Sequence, residues 1–136
     1  MANNLLEDGK GLVLNALKNE VNSIRLYGTR SYFLPNGEQE TQPYETEIKT
    51  LTFSSPIQSG GIFTGLMAMS QTDIVFNLIE GQDFLGLEDE TIRLQGANLI
   101  KDTGSEEISY VLAAFSPVSY RTIGDFTLTD LTIRVS

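Results

Sequence analysis

The sequence predicts a mainly β protein, an antiparallel β-sandwich of jelly-roll-like type preceded by one N-terminal α-helix. Three observations support this fold class. Short apolar runs with a two-residue period recur from Ser23 onward, and clusters of Gly, Pro, Asn, Asp and Ser separate them. No regular alternation of helix and strand patterns is present, which disfavours a parallel α/β fold. The 136 residues suit one domain, which we divide into a helix over 1–21 and a sandwich over 22–136.

The first element is the only segment with a convincing helical pattern. Asn3 or Asn4 is placed to cap it, and Glu7 can reach back toward a free backbone N–H. Two glycines lower its helix propensity by about 1 kcal/mol each relative to Ala. We therefore expect it to dock on an apolar surface, either a sheet of its own chain or a neighbouring subunit. The apolar residues that share its predicted stripe are Leu6, Val13, Leu17 and Val21.

The next segment combines a strand with an apolar tip. Alternation predicts a half-buried strand that ends near Gly28, and 29–44 is predicted to be a long projecting loop or a loose hairpin. Its tip carries Tyr32, Phe33 and Leu34 in a row. An exposed tip of this kind is a costly apolar patch unless something covers it. These side chains therefore either contact a partner or pack on their own chain.

Further runs predict the strands of the sandwich. Glu47–Phe53 is a strand with a bulge, and Ile62–Met69 is a strand buried on both faces, with a helix over Phe63–Met69 as the alternative. Asp73–Leu78 alternates cleanly, and Ile108–Phe115 is apolar at nearly every position, so we expect a central strand there.

The end of the chain adds two turn predictions. Lys101–Glu106 is predicted to be a turn built on Asp102, Thr103 and Gly104. A turn or bulge near Thr129 and Asp130 separates two short closing strands, because the apolar residues change phase there.

Composition excludes several classes of function. The chain contains no His, Cys or Trp, so the side chains that carry most nucleophilic and proton-shuttle chemistry near neutral pH are missing. Nine Lys and Arg against eighteen Asp and Glu give a formal net charge of −9, which disfavours nucleic acid and anionic lipid as partners. The longest apolar stretch is too short to span a bilayer. We expect no enzyme, no cofactor and no membrane association.

Two weaker motifs have ordinary explanations. Gly60 and Gly65 have the spacing of phosphate-loop glycines, but Leu66 stands where that loop needs Lys, so a turn is expected. The acidic residues within 80–90 offer oxygen ligands for calcium, or two carboxylates for glycoside hydrolysis. Carboxylates this dense normally lie solvated on a loop, and we expect no metal site.

The order of segments resembles the small virion structural proteins of tailed bacteriophages, of the tail-fibre, tail or baseplate accessory type. In that family a helix precedes a β-sandwich, and a final Gly-Asp turn delivers the last strand. The segments that carry the resemblance are the Asn-Leu-Leu helix running to Leu17, Ile24-Arg25-Leu26-Tyr27, Leu51–Pro56 after Glu47, Thr72–Asn77, Thr91–Gly96, Gly124–Leu128 and Asp130–Ile133.

The resemblance implies a virion protein that assembles with itself or with neighbouring virion proteins on the tail, baseplate or neck. Before assembly the subunit is expected to be soluble in the host cytoplasm. Capsid decoration and a lectin-like module that binds a host glycan are the alternatives. We expect a homo-oligomer whose contacts involve Leu6, Val13, Leu17, Tyr32, Phe33 and Leu34.

Overall fold

A computed structural model of the chain describes residues 6–135. Within them, one helix precedes a body of antiparallel strands, as the sequence predicts. The elements are α1 (Glu7–Glu20), β1 (Ser23–Phe33), β2 (Gln39–Glu45), β3 (Lys49–Thr50), β4 (Gln58–Ser59), β5 (Ile62–Phe63), β6 (Leu66–Ala68), β7 (Ile74–Leu78), β8 (Glu88–Asp102), β9 (Glu107–Tyr120), β10 (Gly124–Leu128) and β11 (Thr132–Arg134).

The long strands form one main sheet in the order β2, β1, β8, β9. β3 pairs with the beginning of β1, beyond the end of β2, so β2 and β3 share one edge of the sheet. β9 forms the opposite edge. β8 and β9 are joined by the tight turn predicted at Asp102–Gly104, where the Thr103 N–H donates to the Glu106 carbonyl over 3.0 Å.

Short ribbons complete a sandwich-like body. In the described part of the chain, β7 pairs with β10, β6 with β11, and β4 with β5. One hydrophobic cluster contains side chains of the main sheet, such as Leu26 and Leu94, together with Phe76, Met67 and Ile133 of the ribbons. The rings of Phe115 in β9 and Phe126 in β10 stack with their centroids 5.0 Å apart. The core therefore lies between the main sheet and the ribbons.

The helix is present, and the predicted stripe matches its buried face in part: Val21 is buried and Leu17 packs against the core, but Leu6 is exposed. Leu6 occupies the N-cap position, and the predicted caps at 3 and 4 lie outside the described residues. Leu14 is fully buried, whereas Val13 is exposed. A Cβ at Gly11 would lie 2.6 Å from Cε2 of the Phe63 ring, so this glycine lets the ring approach the helix. Among residues 6–135 there is no helix long and apolar enough to cross a membrane.

β1 continues through Gly28 instead of ending there. The register against β8 shifts between Tyr27 and Gly28, and a Cβ at Gly28 would lie 1.8 Å from the carbonyl oxygen of Arg93. Glycine at this position therefore marks a close approach within a bulged strand rather than its end. The segment 29–44 is a regular hairpin, so the hairpin alternative is correct and the loop alternative is wrong.

Two predicted strands are shorter than expected. Ile62–Met69 is neither one strand nor a helix: it divides into β5 and β6 at Gly65, whose φ is +82°. Glu47–Phe53 contains only the short β3 in regular pairing. The clean alternation in β7 is confirmed, with Ile74, Phe76 and Leu78 buried. The break between the two closing strands is confirmed as well.

The prediction of a central strand over 108–115 is wrong. β9 lies at the edge of the main sheet, and Ile108, Tyr110 and Leu112 are exposed. Only alternate positions, among them Val111 and Phe115, pack against the core. A continuous apolar run shows that both sides of a strand are hydrophobic, but it does not show that both sides are covered by the same chain.

Candidate functional site

The outer surface of α1 carries exposed apolar side chains. Leu6 is 76% exposed and Leu12 is 73% exposed, and Val13, which follows Leu12 in the sequence, is 37% exposed. We call these three residues the outer helix surface. Leu6 and Val13 were predicted as partner contacts, and the structure leaves both accessible. Leu17, predicted with them, is partly buried and packs against the core of its own chain.

The hairpin tip leaves one of its three apolar residues on the surface. Phe33 is exposed, whereas Tyr32 and Leu34 are partly buried. The Tyr32 hydroxyl accepts a hydrogen bond of 3.2 Å from the Gln42 side-chain amide. The Leu34 N–H donates to the Glu38 carbonyl over 2.8 Å, which closes the turn. Tyr32 and Leu34 therefore stabilise the hairpin, and Phe33 is the residue that a neighbour can reach.

A buried polar cluster of Arg30, Tyr44, Asp83 and Glu90 fixes part of the acidic segment; we call it the Arg30 cluster. Asp83 is buried and accepts hydrogen bonds from the Tyr44 hydroxyl and, over 2.8 Å, from the Ile79 N–H. The Arg30 guanidinium donates to the carbonyl oxygen of Asp83. This aspartate is thus a structural group rather than a solvated loop carboxylate.

Glu90 holds the other end of the same segment. Its carboxylate accepts the Leu85 N–H at 3.0 and 3.2 Å. Arg30 Nε lies 3.0 Å from Glu90 Oε2, but its N–H is not directed at that oxygen, so the contact is an ion pair rather than a hydrogen bond. The guanidinium carbon lies 5.3 Å from the centroid of the Tyr44 ring, within range of a cation–π contact.

The Arg30 cluster is arranged to hold structure rather than to transfer protons. Burial, and then the hydrogen bond to Asp83, raises the pKa of Tyr44 well above its usual value near 10. The phenol is therefore neutral at physiological pH and acts as a hydrogen-bond donor. Both buried carboxylates already accept hydrogen bonds from their own chain.

An open depression of about 790 Å³ lies beside this cluster. Its apolar lining includes Leu85, Leu87 and Ile123, all exposed. Asp89 and Arg121 also line it, and Arg121 Nη2 lies 3.8 Å from Asp89 Oδ1. Neither Tyr32 nor Phe33 lines it, and Phe84, the aromatic residue among its described lining residues, is buried, so the depression lacks the exposed aromatic platform expected for a glycan.

The weaker motifs fall in ordinary structure. Gly60 and Gly61 have φ values of +61° and +80° and form the turn between β4 and β5. Positive φ explains two glycines in a tight hairpin without any phosphate. Across 6–135, no group of three or more His, Cys, Asp or Glu is placed to hold a metal ion.

The exposed surface of β9 is the feature that the sequence analysis missed. Leu112 is 68% exposed and Tyr110 is 45% exposed, although both were predicted to be interior. One signal in the sequence points to this surface. The thirteen residues from Ile108 to Tyr120 contain no charge and include apolar residues on both faces.

Comparisons of the chain with protein-family models, with curated proteins and with solved structures found no match. The resemblance to virion structural proteins therefore remains a prediction from the order of segments.

Proposed function

We propose that this chain is a structural subunit of a tailed-bacteriophage virion, which assembles with copies of itself or with neighbouring virion proteins on the tail, baseplate or neck. The subunit is soluble in the host cytoplasm before assembly. It acts by binding and not by catalysis. The order of segments supports the virion context, and the exposed apolar side chains support the assembly role.

The observation that carries the proposal is the exposure of the outer helix surface. Leu6 and Leu12 remain about three quarters exposed although the same helix buries Leu14 completely. Scattered exposed leucines are common, but three exposed apolar residues within eight positions, Leu6, Leu12 and Val13, offer a contact surface at the start of this helix. Burying two leucines in an interface contributes about 3–6 kcal/mol before the costs of association.

The buried carboxylates also favour assembly over catalysis. A glycosidase needs two carboxyl groups that face a substrate across a cleft. Here Asp83 and Glu90 face their own backbone and Arg30. Two of the five acidic residues within 80–90 are therefore engaged in stabilising the fold.

Mass spectrometry of purified tailed particles from a host carrying this gene tests the proposal. The chain should be present in a fixed ratio to the other tail proteins. Substituting Leu6→Ser and Leu12→Ser together should lower its incorporation at least tenfold, whereas Asn15→Ser, an exposed polar change on the same helix, should not. Absence of the chain from particles, in the presence of soluble folded chain in the lysate, would contradict the proposal.

A further inference from the structure

Within residues 6–135, β9 has an unpaired edge, and from Ile108 onward the side chains along it are uncharged and largely apolar. One side of this strand pairs with β8, and its other side has no neighbour within the described residues. Ile108, Tyr110 and Leu112 are exposed along it. No charge occurs from Ile108 to Tyr120, in a chain whose formal net charge is −9.

The opposite edge of the same sheet is built differently. β2 carries Pro43, which has no N–H to donate, and Glu40 and Glu45 add negative charge. Proline and charge on an edge strand oppose pairing with another chain. The side chains of β9 therefore allow another strand to pair at this edge of the main sheet, whereas those of β2 oppose it.

The register against β8 locates the usable part of β9. Pairing shifts between Val111 and Ser109, and again between Ala114 and Val118, near Pro117. Between these irregularities the strand pairs regularly from Val111 to Ala114. Leu112 and Ala114 share the outer face, because their inward neighbours Val111 and Ala113 lie opposite the buried Leu99 and Ala97.

We infer that the Val111–Ala114 stretch of β9 is the contact between two copies of this chain, which join their main sheets antiparallel across a twofold axis. The inference rests on the proposed assembly function and names its partner. Antiparallel pairing of a strand with its own copy is self-complementary. An axis perpendicular to the sheet places Leu112 and Ala114 of one copy beside the same residues of the other.

Charge favours a second copy as the occupant. Two acidic chains repel through most of their surfaces, but the uncharged run lets them approach here. Glu107 lies at one end of this run and Arg121 follows its other end. Antiparallel pairing therefore brings the acidic end of one strand toward the basic end of its partner, so that unlike charges approach each other.

Light scattering after size-exclusion chromatography tests the inference on the full chain. The wild type should form a dimer, and Leu112→Lys should raise the apparent dissociation constant at least tenfold with an unchanged far-UV circular dichroism spectrum. Ile62→Lys is the matched control, because Ile62 is 56% exposed but lies on β5, outside both proposed contact surfaces. It should leave the dimer intact.

A second measurement does not depend on breaking the contact. The chain has no Cys, so Ala114→Cys provides a single thiol beside the proposed axis. A short bis-maleimide should link two copies covalently, whereas Ile62→Cys, exposed on β5, should not be cross-linked under the same conditions.

The outcomes separate this inference from the assembly function. An oligomer that survives Leu112→Lys, without linkage through position 114, overturns the β9 contact and leaves assembly through another surface. A wild type that is monomeric at every concentration also overturns the inference. The particle measurement above then decides the assembly function independently.

Discussion

Replacing Glu90 with Gln should destabilise the fold strongly, although the change removes only one charge. Glu90 and Arg30 are 5% and 12% exposed, and their side chains form an ion pair. Loss of one partner leaves the other charge buried, which costs about 3–5 kcal/mol. Because Arg30 keeps the Asp83 carbonyl and the Tyr44 ring as neighbours, we expect the lower end, about 3 kcal/mol.

Urea unfolding followed by far-UV circular dichroism measures this loss, since the chain has no Trp for fluorescence. With an m-value of about 2 kcal/mol per M, the midpoint should fall by about 1.5 M. Glu88→Gln is the matched control. Glu88 is exposed, so its loss should change the free energy of unfolding by less than about 0.5 kcal/mol. Equal midpoints for the two variants would refute a structural role for the buried ion pair.

Two further predictions concern the helix contact and alkaline pH. Gly11→Ala should lower the free energy of unfolding by about 1 kcal/mol, because overpacking against Phe63 outweighs the gain in helix propensity. In a Phe63→Ala background the same change should raise the free energy of unfolding. A higher free energy of unfolding in both backgrounds would disprove the contact. The pKa of Tyr44 is higher in the folded chain than in the unfolded chain, so the unfolded chain loses this proton first as the pH rises. The stability that the neutral phenol contributes is therefore complete below about pH 10 and is lost as the pH rises toward the folded-state pKa. Between pH 9 and 11, the free energy of unfolding should therefore fall less for Tyr44→Phe than for the wild type. Part of the fall should persist in the variant, because burial also raises the pKa of Tyr120. An equal fall in the free energy of unfolding for both proteins would contradict this account of Tyr44 and Asp83.

The sequence predicted correctly those parts of the fold in which the local hydrophobic pattern matches the pattern of buried residues. β7 alternates because one face of its ribbon covers the core and the other meets solvent. The Asp102–Gly104 turn is correct because its residues form their own local bonds: Gly104 has a φ of +87° and its N–H donates to Asp102 Oδ1 over 2.9 Å.

The errors arise where a distant residue decides the local structure. Gly28 looks like the end of a strand, but it is required by the approach of the Arg93 carbonyl. Gly11 weakens an isolated helix, but it makes room for Phe63. Neither contact has a signal within its own stretch of sequence.

The candidate surfaces were predictable only in part. The apolar residues at 6 and 13 are exposed, whereas Leu17 faces the core because it lies on the same side of the helix as Leu14. The Arg30 cluster could not be anticipated, since its residues come from three separate segments. For β9, hydrophobicity predicted a strand covered on both faces, whereas residues 6–135 cover only one face of it.

Sedimentation equilibrium of the wild-type chain over a wide range of concentrations tests the central claim most directly. The account predicts a reversible association to twice the mass of one chain, which Leu112→Lys weakens at least tenfold and Ile62→Lys preserves. The mass of a single chain at every concentration would contradict the claim that the open edge of β9 joins two copies. A dimer whose dissociation constant is unchanged by Leu112→Lys would contradict it as well.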